Sequence, residues 1–133
     1  MLKKLLVVII CASLIVSTVS VDVKAESSCE LKSTPYEGYG ECGITASTGY
    51  AKTYVNPLAE TLVSATFSYN RYYGTSYVYA VNQPGSAAGS GSCRVDFSVY
   101  DSSTDRSISV NASHSFDSGS SGHSASGVTN ITL

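Results

Sequence analysis

The stretch Ser92-Cys93-Arg94-Val95-Asp96-Phe97-Ser98-Val99-Tyr100 decides the fold. Cys93, Val95, Phe97 and Val99 fall at every second position, and Arg94, Asp96, Ser98 and Tyr100 fill the alternate ones, which is the signature of a strand with one buried face. Working outward, Arg106 to Phe116 repeats the pattern, with Ile108, Val110, Ala112, His114 and Phe116 on one side. Thr61 to Tyr72 does the same with Val63, Ala65, Phe67 and Tyr69. Cys42 to Val55, Thr75 to Asn82 and Gly127 to Leu133 are weaker strand candidates, because Tyr77, Tyr79 and Val81 compete with Val78 and Ala80 for the buried face.

Turn-forming residues separate these runs at Asn56-Pro57, Asn70 to Gly74, Asp101 to Asp105 and Asp117 to Gly122. The Gly/Ser/Ala segment from Pro84 to Ser92 and the segment from Asp117 to Ser126 read as surface loops. Ser, Thr, Gly, Tyr and Val dominate while helix formers are sparse. No helical crossover links the strands, so the expected fold is all-β, an antiparallel β-sandwich of about six to eight strands.

The N-terminus carries a different signal. Lys3 and Lys4 precede an apolar run from Leu5 to Val19, and Val23-Lys24-Ala25 places small residues where a signal peptidase cuts. Residues 1–25 are expected to be a cleaved secretory signal peptide and 26–133 a single β-sandwich domain, secreted and extracellular. The run is shorter than the roughly 20 residues a bilayer-spanning helix needs, so the mature chain is expected to carry no membrane anchor.

Without the signal, five basic residues remain against nine acidic ones, a net charge of about −4. Lys32, Lys52, Arg71, Arg94 and Arg106 are scattered singly, which leaves no footprint for nucleic acid. Four cysteines become three when Cys11 leaves with the signal. Cys42 and Cys93 both share parity with core residues, so a Cys42 to Cys93 bridge is the first expectation, worth about 4 kcal/mol in the chain-entropy model. Cys29 to Cys42 is the rival, and the pairing and the identity of the unpaired thiol stay open. The spacing lacks any Cys-x-x-Cys pair, so no metal site is expected.

Catalytic chemistry finds little support in the sequence. His114 lies among apolar positions, and His123 sits in a serine-rich turn without the Gly-x-Ser-x-Gly elbow. Glu41, Glu60, Asp96 and Asp117 are isolated carboxylates, and Asp101 to Asp105 lacks the glycine and distal glutamate of a calcium loop. Asn111-Ala112-Ser113 and Asn130-Ile131-Thr132 have the form of glycosylation acceptors, which arise readily in a Ser/Thr-rich chain. The chain is therefore read as non-enzymatic, with no catalytic residues, metal or cofactor.

Ten tyrosines are the remaining distinctive feature, with Tyr69, Tyr72, Tyr73, Tyr77 and Tyr79 crowded across one hairpin. Cross-strand aromatic pairs there would stabilise the sheet by about 0.2–1 kcal/mol each; in the functional alternative, Tyr72, Tyr73, Tyr77 and Tyr79 are the candidate contacts for an extracellular ligand, carbohydrate or protein, because tyrosine pairs an apolar face with a hydrogen-bonding tip. An extracellular or cell-surface binding module is the leading expectation. Gly38-Tyr39-Gly40 and the general Ser/Tyr-rich composition also resemble lactococcin-type sandwich bacteriocins, and that resemblance implies an exported antibacterial protein. A self-associating surface structural protein is the third reading.

Overall fold

In the computed structural model, which describes residues 25–100 and 104–133, eight strands form two four-stranded antiparallel sheets. The strands are β1 (Ala25–Ser33), β2 (Tyr36–Ile44), β3 (Thr48–Asn56), β4 (Glu60–Tyr73), β5 (Ser76–Ser90), β6 (Ser92–Ser98), β7 (Asp105–Asp117) and β8 (Ser124–Thr132). One sheet runs β1-β2-β3-β6 and the other β5-β4-β7-β8. They stack face to face, with β1 over β8, β2 over β7 and β8, β3 over β4 and β7, and β6 over β4 and β5. The sandwich expected from the alternation is thus present. The signal peptide falls almost wholly on residues 1–24, outside the described residues; Ala25 already pairs with Ile44 as the first residue of β1.

The three strongest strands face as their periodicity requires. Val63, Ala65, Phe67 and Tyr69 of β4, Cys93 and Phe97 of β6, and Ile108, Val110, Ala112 and Phe116 of β7 are buried. Phe67 and Phe97 stack across the two sheets, with ring centroids 5.5 Å apart and planes 8° apart. Each buried phenylalanine contributes about 1.5–3 kcal/mol through area removed from water. A second apolar cluster, Leu31, Val55, Ala59 and Phe116, closes the other end of the sandwich.

Two segments read as loops have other roles. Pro84 to Ser90 is the second half of β5, pairing with β4 from Thr66 to Glu60. Its small residues answer to packing against β6: a Cβ on Gly85 would lie 2.8 Å from Val95 and 2.9 Å from Phe97. Proline is tolerated there because β5 is an edge strand. The Asp117 to Ser126 segment is a tight turn, in which His123 N donates to Ser118 Oγ at 2.9 Å, and β8 begins within it at Ser124. Cys42 to Val55 is two strands, turning over Thr45 to Ser47.

A polar seam crosses the interior. His114 is 1% exposed, its Nδ1 3.0 Å from Thr53 Oγ1 and its Nε2 2.7 Å from Thr129 Oγ1. Thr53 Oγ1 donates to the Leu62 carbonyl at 3.1 Å. That donation obliges His114 Nδ1–H to donate to Thr53, leaving Nε2 to accept from Thr129. Desolvation holds the His114 pKa below its ordinary value, so the neutral imidazole suits the seam.

All three described cysteines are thiols, and the expected Cys42 to Cys93 bridge does not form. Cys42 pairs with Ala51 and Cys93 with Thr53, so β3 runs between them. Two strand spacings amount to about 9.6 Å, beyond the roughly 7 Å that a disulfide spans between Cα atoms. The shared parity was read correctly, since both thiols are buried, but facing one core is not adjacency. Cys29 and Cys42 lie on neighbouring strands, offset by two residues in register, and are also unjoined.

Candidate binding surfaces

The β4–β5 hairpin brings the four candidate tyrosines to one end of the sandwich. Tyr72 is cross-strand to Tyr77, and their rings meet edge to face at 5.9 Å and 77°. The register shifts between Arg71 and Tyr72, so that Val78 is the extra residue of a bulge, which adds twist at the tip. Tyr73 is 84% exposed, Tyr77 and Tyr79 are about half exposed, and Tyr72 is partly covered. Tyr69, crowded with them in sequence, belongs instead to the core, where its hydroxyl accepts from Gln83 Nε2 at 3.2 Å and from the Tyr100 amide at 3.3 Å.

Sequence reasoning missed three members of this cluster. The Arg71 guanidinium lies 4.4 Å from the ring centroid of Tyr100, a residue 81% exposed. Arg106 lies 5.0 Å from the Tyr72 ring and donates from Nη2 to the Gly74 carbonyl at 3.2 Å. These residues come from β4, the β6–β7 connection and β7, so only the tertiary pairing of β4 with β7 assembles them. Such cation–π contacts are worth about 0.5–1 kcal/mol at exposed sites and hold the rings in place.

A second aromatic surface lies on the outer face of the β1-β2-β3-β6 sheet. Tyr39 and Tyr54 are cross-strand neighbours, each more than a third exposed, with centroids 5.4 Å apart and planes 31° apart. Lys52 Nζ sits 5.7 Å from the Tyr39 centroid and 3.2 Å from Glu41 Oε1. Tyr50 donates a short hydrogen bond to Glu41 and lies beneath the Arg94 guanidinium, 4.2 Å away. Burial would raise the Glu41 pKa, but hydrogen bonds from Tyr50 and Lys52 outweigh it and hold the carboxyl below its usual range. Burial and the same hydrogen bond from the other side push the Tyr50 phenol up. The signal for this surface was present in the alternation Glu37, Tyr39, Glu41 and Tyr50, Lys52, Tyr54, whose odd and even parities mark one outward face.

Other chemistry-bearing residues are dispersed. His114 is sealed by Thr53 and Thr129, while His123 packs on Tyr36 at 5.4 Å and places Nδ1 3.2 Å from Ser33 Oγ. Glu60 and Asp117 are cross-strand partners at one end, whereas Glu41 and Asp96 lie on the opposite sheet. Asn111 and Asn130 face each other on β7 and β8. Asp101 lies outside the described residues. Among the described residues, no three His, Cys, Asp or Glu gather into a group able to hold a metal ion, and no helix is long and apolar enough to cross a membrane.

The two surfaces differ in what they can do. Edge-to-face tyrosines with stacked arginines on a projecting tip offer rings in several planes, suited to an irregular protein surface. The Tyr39/Tyr54 pair offers two rings closer to one plane, suited to a flat ligand. Comparison of the chain with protein-family models, with curated proteins and with solved structures returned no match.

Proposed function

We propose that this chain is a non-enzymatic extracellular binding module that docks on a partner protein through its β4–β5 hairpin. The observation that carries the reading is the cluster of Tyr72, Tyr73, Tyr77, Tyr79 and Tyr100 with Arg71 and Arg106 at a single projecting end. Tyrosine and arginine are, with tryptophan, the residues most enriched at the energetic centres of protein interfaces. Their stacking fixes the side chains before contact, which lowers the ordering cost of binding. Export is supported by the Lys3/Lys4 flank, the Leu5 to Val19 apolar run and the small residues before Glu26.

The test places a photo-cross-linking amino acid at Tyr73 or, well away from the hairpin tip on the outer face of the same sheet, at Ser113, and exposes the purified protein to intact cells of the producing organism. The proposal expects an adduct from position 73 alone, competed by the unlabelled protein but not by a Tyr73→Ala/Tyr77→Ala/Tyr79→Ala variant. Equal adducts from both positions, or equal competition by both competitors, contradict it. A pull-down of the purified protein with peptidoglycan and polysaccharides, compared with a variant in which Tyr72, Tyr73, Tyr77 and Tyr79 are changed to Ala, separates a sugar-binding hairpin from a protein-binding one.

Self-association is a second reading, favoured by the outer face of the β5-β4-β7-β8 sheet. Over four rows, from Asn82-Ser68-Ser109-Thr132 to Ala88-Leu62-Ser115-Ser126, that face carries no ionisable side chain. Concentration-dependent sedimentation would support this reading, and a constant monomer would remove it.

A further inference from the structure

We propose that the cleft beside Tyr39 and Tyr54 is a second site, independent of the hairpin, which binds a saccharide carrying a free-amine (cationic) amino sugar. The cleft has a volume of about 590 Å³ and lies at one end of the outer face of the β1-β2-β3-β6 sheet. That volume falls within the roughly 300–1,000 Å³ typical of small-molecule sites. Pro35 and Pro57 bound it, Tyr39 and Tyr54 supply its aromatic wall, and Glu30, Glu37 and Asn56 bring polar groups to it.

Three observations select the ligand class. The first is the aromatic pair, whose modest interplanar angle of 31° leaves both rings able to pack on the apolar C–H face of one pyranose or of two linked ones. Lys52, fixed by its ion pair with Glu41, lies over Tyr39 and also 5.9 Å from the Tyr50 centroid, so the platform is held before a ligand arrives. Preformed walls of this kind spare the ligand an ordering cost.

The second observation is hydrogen-bonding chemistry. Carboxylates accept from sugar hydroxyls, and the Asn56 amide both donates and accepts. A small number of such groups around an apolar wall is the usual composition of a site that fixes ligand orientation.

The third is charge. The outward positions of this sheet include Glu26, Glu30, Glu37, Glu41 and Asp96 against Lys32, Lys52 and Arg94, an excess of two negative charges. Lys52 is committed to Glu41 at 3.2 Å and Arg94 to Asp96 at 2.9 Å, and Glu26 lies at the far end of β1, so beside the cleft Glu30 and Glu37 stand against Lys32 with an excess of one negative charge. Lys32 does pair with Glu37 at 3.1 Å, but both side chains are more than half exposed, and such a pair yields readily to a competing cation. An ammonium group on the sugar therefore complements the cleft better than a neutral or acidic substituent.

Titration calorimetry with the full protein tests this with three probes: a β-1,4-linked glucosamine oligomer, its fully N-acetylated form, and a glucose oligomer of equal length. The proposal expects the free-amine oligomer to bind at least tenfold more tightly than the other two, with affinity falling as salt rises. Tyr39→Ala and Tyr54→Ala should each weaken it by roughly 5- to 10-fold while Tyr39→Phe retains it. Glu30→Gln/Glu37→Gln should erase the preference for the amine. The Tyr73→Ala/Tyr77→Ala/Tyr79→Ala variant should bind the sugar unchanged, which separates this site from the hairpin reading. Equal affinity for all three oligomers, no binding by any, or no effect of the Tyr39 and Tyr54 substitutions in variants with an unchanged circular dichroism spectrum would overturn it.

Discussion

Gly40 on β2 lies directly against the imidazole of His114 on β7, so close that a Cβ at position 40 would overlap the ring. The glycine that sequence reading placed in a Gly38-Tyr39-Gly40 tripeptide is therefore a packing device. It lets the buried His114 side chain reach Thr53 on the opposite sheet while it also meets Thr129 on the neighbouring strand of its own. The seam fixes how the sheets stack, and with that the outward face that carries Tyr39 and Tyr54.

Gly40→Ala should consequently destabilise the protein by about 1–3 kcal/mol, the usual cost of forcing a methyl group into a packed interior. Denaturant unfolding measures this directly. The penalty should shrink in a His114→Ala background, because the two changes relieve one another. Equal penalties in both backgrounds would mean that the His114 ring is not what excludes the methyl.

The same seam predicts an acid dependence of stability. Desolvation lowers the folded-state pKa of His114 below its ordinary 6.5. Above about pH 6.5 the ring is neutral in both states and the contribution is fully present. As pH falls below that value, the unfolded chain takes up a proton that the folded chain refuses, so stability declines until the depressed folded pKa is reached. Melting temperature should drop between about pH 6.5 and pH 5 in the native protein and much less in His114→Gln. Glu41, whose pKa is also lowered, acts only below its ordinary 4.5, so the two effects occupy separate windows.

Thiol chemistry gives a third expectation. Desolvation raises the Cys42 pKa, and Cys42 and Cys93 are both buried, whereas Cys29 is partly exposed. In native protein a thiol-reactive reagent should modify Cys29 first and leave Cys42 and Cys93 protected until unfolding. Non-reducing peptide mapping should find no Cys42–Cys93 linkage. Recovery of that linked peptide would contradict the β2-β3-β6 strand order.

Legibility in the sequence followed the chemistry of the inward positions. β4, β6 and β7 were readable because their inward residues include Val63, Phe67, Val95, Phe97, Ile108, Val110 and Phe116, which advertise burial. β1 and β2 left a weaker trace: beside Leu31, Cys42 and Ile44 their inward positions include Ser27, Cys29, Gly38 and Gly40, so much of the alternation is of size and charge instead of hydropathy. β5 was mistaken for a loop beyond Pro84 because Gly85, Ala87 and Gly89 face β6 at close approach. Small residues signal flexibility in isolation and tight packing in context, and only the partner strand tells which. Likewise Tyr72, Tyr73, Tyr77 and Tyr79 were visible as a cluster, but Arg71, Arg106 and Tyr100 join them only through pairing of β4 with β7 and the crossing from β6.

The central claim, that the hairpin tyrosines serve recognition and not stability, is tested most directly by measuring two quantities on one variant. Tyr73→Ala/Tyr77→Ala/Tyr79→Ala removes rings that are about half exposed or more, so unfolding free energy should fall by no more than about 1 kcal/mol. Retention on intact cells of the producing organism should be lost under the same conditions. A variant that keeps its cell binding, or one that loses several kcal/mol of stability along with it, would contradict the account.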